Sequence, residues 1–104
     1  MLDTFLPTDD NHSGITTAQN DDVDGTSDSL TIGNGGHILV CIGDAPVFIR
    51  FGRANTAAVS ATNGFRLPAS WVGVLSVPEM ANTIFYIQEG SASVISVQRG
   101  NVGT

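Results

Sequence analysis

The sequence predicts an all-β protein: a small antiparallel β-sandwich of about seven or eight strands, preceded by an extended acidic N-terminal arm. Three observations carry that prediction. Apolar runs are short and rich in β-branched residues, as in His37–Ile42 and Val47–Phe51. Turn-forming breaks recur between them at similar spacing, at Asn34-Gly35, Gly43-Asp44-Ala45-Pro46, Asn63-Gly64, Pro68, Pro78 and Glu89-Gly90. No segment sustains the apolar period of a helix.

Ordered structure is expected to begin near Ser29, where Leu30 and Ile32 alternate with Thr31. Asn34-Gly35 then reads as a hairpin turn, because both residues tolerate the positive φ that a type I′ turn needs. The strand His37–Ile42 follows directly. Gly43-Asp44-Ala45-Pro46 reverses the chain into a strand whose Val47, Ile49 and Phe51 share one face while Phe48 and Arg50 take the other. Further strands are expected at 57–60, 65–67, 71–77, 83–88 and 92–98, and Pro78–Asn82 has room for one helical turn at most. A shorter strand is possible at Ile15–Ala18 in the arm. No internal repeat and no second domain is visible.

Size and charge bound the function. With 104 residues the chain fits one domain with a limited interior, so association with a partner would add stability. Seven of the ten acids, Asp3, Asp9, Asp10, Asp21, Asp22, Asp24 and Asp28, fall within residues 1–28, where there is no Lys or Arg. Those residues are polar and acidic and read as a flexible arm, with residues 29–104 as the β-sandwich domain. The domain sets Asp44, Glu79 and Glu89 against Arg50, Arg53, Arg66 and Arg99, and is nearly neutral. A net charge of −6 without a single lysine argues against direct nucleic-acid binding, which needs clustered cations. The N-terminal MLDTFLPTDD has neither a positive leader nor a sufficient apolar stretch, so no secretory signal and no membrane association is expected. Cys41 is the single cysteine, within an apolar run, and reads as a small buried hydrophobe that forms no intrachain disulfide.

Candidate chemistry is sparse. Asn20, Asp22, Asp24 and Asp28 fall at oxygen-donor positions of a calcium-loop pattern, with Gly25 at its sixth position. Thr31 stands where a bidentate carboxylate is needed, so a solvated acidic linker is the better reading and no metal is assigned. His12 and His37 lack partners at ligand spacing, and no nucleophile, base and orienting group are recognisable together. The expectation is a chain without enzymatic activity and without a cofactor. Candidate partner contacts are the apolar Leu2, Phe5 and Leu6, the acids Asp9, Asp10, Asp21, Asp22 and Asp24, and Arg50 and Arg53, whose guanidinium groups can bind carboxylates bidentately. Trp71, Phe85 and Tyr86 offer a possible sugar-stacking platform, against the plainer reading of core or interface aromatics.

APVFIRFG at 45–52 followed by LPASWVGVLSVP at 67–78 resembles the small cement or decoration proteins of tailed-bacteriophage virions. The resemblance covers about residues 30–100, leaves out the arm, and implies a jelly-roll-like sandwich. It further implies a virion structural protein made in the host cytoplasm, docked on the outer capsid surface, that stabilises contacts between major capsid protein subunits. A homo-oligomer, dimer or trimer, is expected with it. The alternatives are a tail-associated carbohydrate- or receptor-binding module and a head-tail joining protein.

Overall fold

The computed structural model describes residues 5–7, 19–53, 59–60 and 63–102. They form nine strands: β1 (Phe5–Pro7), β2 (Gln19–Val23), β3 (Asp28–Thr31), β4 (His37–Ile42), β5 (Val47–Gly52), β6 (Phe65–Leu67), β7 (Val72–Ser76), β8 (Thr83–Gln88) and β9 (Ser93–Val102). The first sheet has the order β1-β9-β4-β7, with β2 also paired to β9; the second has the order β3-β8-β5-β6. Every pairing is antiparallel. With β2-β9-β4-β7 facing β3-β8-β5-β6, the eight strands β2 to β9 have the arrangement of a jelly roll, and the expected all-β sandwich is what the chain forms.

The core follows from strand alternation. Ile38, Val40 and Ile42 of β4 and Ile95 and Val97 of β9 face Val47 and Ile49 of β5, Ile84 and Tyr86 of β8 and Leu67 of β6. Burying each such side chain contributes about 1.5–3 kcal/mol. The face assigned to Val47, Ile49 and Phe51 is the inward one, as the alternation predicts.

Three expectations are corrected. Residues 19–28 belong to the sandwich rather than to a free arm: all five residues of β2 pair with β9, and Val23 is buried in the core. Their polarity hid this because inward-facing Asp21 is satisfied by a remote partner, the hydroxyl of Tyr86, which donates to Asp21 Oδ2. The rest of the arm, residues 1–4 and 8–18, including Leu2, Asp9, Asp10 and the possible strand at Ile15–Ala18, lies outside the described residues.

Secondly, Asn34-Gly35 closes no hairpin. β3 and β4 lie in different sheets, and the segment crosses between them with positive φ at Gly33, Gly35 and Gly36 but not at Asn34. Arg99 from β9 holds this crossover, donating to the carbonyls of Ile32 (2.8 Å), Gly35 (2.9 Å) and Asn34 (2.9 Å). Gly43–Pro46 is likewise an arch from the first sheet to the second, tied to β9 by Ser93 Oγ, which donates to the Ala45 carbonyl at 2.8 Å. Thirdly, Val59 and Ser60 are not in a strand, and residues 54–58 of that expected element lie outside the described set.

Candidate functional site

The outward face of the first sheet carries three of the exposed large apolar residues among those described, Val72, Val74 and Val94. In the pairing of β4 with β7, Leu39 lies opposite Val74 and Cys41 opposite Val72; Val40 and Ile38, pairing with Gly73 and Leu75, face the core. Val72 and Val74 are therefore turned out, with 63% and 40% exposure, and Leu39 and Cys41 sit half-buried beside them. Val94 of β9, 44% exposed, extends the stripe diagonally past Cys41. Scattered apolar residues are normal on a protein surface, but a contiguous stripe marks an interaction site.

On its β2 side the stripe meets polar and anionic groups. Asp22 lies opposite Val94 and Asn20 opposite Ser96, whose hydroxyl donates to Asn20 Oδ1. The face thus runs from apolar at β7 to anionic at β2, complementary to a partner surface with an apolar patch bordered by cations.

The residues singled out in the sequence are dispersed by the fold. Of the partner candidates, Asp22 is on this face, whereas Asp21 points inward to Tyr86. Burial, the hydrogen bond to Asp21 and the charges of Asp21 and Asp28 together raise the Tyr86 hydroxyl well above its ordinary pKa, so it remains a proton donor. Asp24 Oδ1 accepts from the Thr26 amide at 2.9 Å within the β2–β3 crossover. Arg50 belongs to the second sheet, half-buried, and Arg53 is exposed just beyond β5. Phe5 and Leu6 lie in β1 at the far edge of the first sheet, beside β9.

The calcium pattern does not assemble. Asn20 and Asp22 are on the outer face of the first sheet, Asp24 is in the crossover and Asp28 is in the second sheet, bonded through Oδ1 to the Ser29 amide. Among the described residues no three His, Cys, Asp or Glu side chains are grouped to hold a metal ion.

The aromatic platform also dissolves. Phe85 and Tyr86 are buried, and Trp71 packs against the core beneath Gly73. Cys41, expected in the core, is on the outer face instead. The stripe is hidden in the sequence because its residue types match those of the core strands. Only the period-2 alternation around Val72, Gly73 and Val74 distinguished them.

No family model matches the chain, and no curated protein matches it. Among solved structures it is similar to hydroxypropylphosphonic acid epoxidase from S. wedmorenis in complex with fosfomycin, at 12% identity and a TM-score of 0.46. The likeness covers 79% of this chain, which spans 42% of the epoxidase chain. The similar structure is an enzyme, so the expectation of a chain without enzymatic activity is not retained. At this score and identity the likeness assigns neither an activity nor a residue to this chain.

Proposed function

We propose that this chain is a virion structural protein of the cement or decoration type. It docks on the outer surface of a phage head through the outer face of its first sheet and bridges neighbouring major capsid protein subunits. The observation that supports this most is the uncovered stripe of Val72, Val74, Leu39, Cys41 and Val94. Jelly rolls serve in viral capsids, lectins and cupins alike, so the fold supports the role only by analogy. On a lattice, many small apolar contacts act together, and avidity exceeds single-site affinity by about 10²–10⁴-fold when sites engage simultaneously. The carbohydrate-binding alternative loses its proposed platform, because Phe85 and Tyr86 are buried.

Copy number tests the proposal. Mass spectrometry of purified particles is expected to find this chain at a level comparable with the major capsid protein. Absence from particles overturns the reading, and a few copies per particle replaces it with a joining role at the head-tail connection.

A further inference from the structure

We infer that β7 is the seam of a homodimer, in which two copies pair antiparallel at their β7 edges and run the first sheet through both. The inference deepens the proposed role and is tested separately from it.

Hydrogen-bond phase shows which groups are available. Val77 donates its amide to Gly36 (2.9 Å) and Ile42 donates to the Trp71 carbonyl (2.8 Å). Bonded and non-bonded pairs alternate along an antiparallel ladder, so Trp71, Gly73, Leu75 and Val77 bond toward β4. The N–H and C=O groups of Val72, Val74 and Ser76 therefore point to the open edge, where β7 has no strand neighbour among the described residues.

The other edges are protected and this one is not. β1 contains Pro7, β2 contains Asp21 and Asp22, β3 contains Asp28, and β6 is three residues long with Arg66 at its centre. Charge, proline and shortness are the usual means of blocking strand addition. β7, with the sequence VGVLS, has no charge and no proline over five residues.

It is also self-complementary. A twofold axis at Val74 sets Val74 against its copy and Val72 against the copy's Ser76, and each of these residues exchanges backbone bonds with its opposite number. Outward side chains stay outward, so the apolar stripe becomes continuous across the two copies.

Charge placement favours a second copy at this edge. Asp21, Asp22, Asp24 and Asp28 lie at the β2–β3 side, separated from β7 within the first sheet by β9 and β4. That is about 14 Å at ordinary strand spacing, beyond the roughly 8 Å screening length of physiological salt. Two anionic chains thus meet at β7 without bringing these four acids together. The same side carries the 66% exposed Phe65 and a cleft of about 260 Å³ lined by Ile49, Arg50, Phe51, Asn63, Phe65 and Leu75, which a second copy at β7 would cover.

Analytical ultracentrifugation of the full chain tests the seam. The native chain is expected to sediment at twice its 10.8 kDa mass. Val74→Lys and Val74→Glu each place like charges face to face across the axis at an exposed position, and each is expected to weaken the dimer about tenfold or more while keeping the native circular dichroism. Mixing the two variants is expected to restore a dimer with opposite charges paired. Val94→Lys, on the same face but away from the seam, is expected to leave the dimer unchanged. A monomeric native chain, single variants as dimeric as the native chain, or a mixture that stays monomeric overturns the inference. A monomer in solution that still decorates particles at high copy number removes the seam and leaves the proposed role; a dimer absent from particles does the reverse.

Discussion

Replacing Tyr86 with Phe removes one oxygen from the interior and with it the side-chain bond from β8 in the second sheet to Asp21 on β2 in the first. The ring is fully buried, and Phe keeps its packing. What is lost is a hydrogen bond to a charged acceptor, a class that contributes about 1.5–3 kcal/mol. Asp21 is only half-buried and regains water, so the lower part of that range applies. A loss of about 2 kcal/mol lowers Tm by roughly 8–16 °C in a domain of this size. Thermal and urea unfolding followed by circular dichroism measure it.

The same bond has an alkaline signature. Because the Tyr86 pKa is raised in the folded chain, its contribution is fully present below the ordinary value of 10.0 and is lost as pH climbs from there toward the folded value. The loss has a limiting slope of about 1.4 kcal/mol per pH unit. Tyr86 is the one tyrosine in the chain, so tyrosinate absorbance reports this group alone. The folded chain is expected to resist ionisation at pH 10 and to ionise as it unfolds, whereas in urea it titrates normally. A Tm change under about 3 °C in Tyr86→Phe, or tyrosinate forming near pH 10 in folded protein, shows that the Tyr86–Asp21 bond does not support the fold.

Other expected outcomes follow from single contacts. Arg99→Ala leaves three carbonyls of the β3–β4 crossover without their donor and is expected to cost about 2–3 kcal/mol by urea unfolding; an unchanged midpoint contradicts the clamp. Gly73→Ala places a Cβ 2.6 Å from the Trp71 ring, and is expected to shift the fluorescence of the single tryptophan and cost about 1–3 kcal/mol. Val72→Asp is expected to abolish particle occupancy while changing stability by no more than about 0.5 kcal/mol, since the residue is exposed; retained occupancy removes Val72 from the docking face.

The sandwich was legible because its core obeys a local rule. Val47, Ile49 and Phe51 announce a buried face by alternation, and β4 and β9 do the same. The connections were less readable. Asn34-Gly35 has hairpin chemistry, yet the crossover it joins is stabilised by Arg99, 64 and 65 residues away in sequence, and no local pattern contains that contact. β2 was hidden for the same reason: Gln19-Asn20-Asp21-Asp22 has poor strand propensity, and it pairs because Val23 is buried and Tyr86, 65 residues on from Asp21, receives the carboxylate. The candidate face was hidden by composition. Val72 and Val74 are the same residue type as Val40 and Val97, and only strand pairing turns the first two outward and the last two inward.

Whether the first sheet's outer face docks on a capsid shell is read from cryo-electron microscopy of particles carrying this chain. Docking through this face places density for the sandwich at repeated positions on the outer surface, with Val72, Val74 and Val94 turned toward capsid subunits. Density absent from the shell, or present with that face turned to solvent, contradicts it.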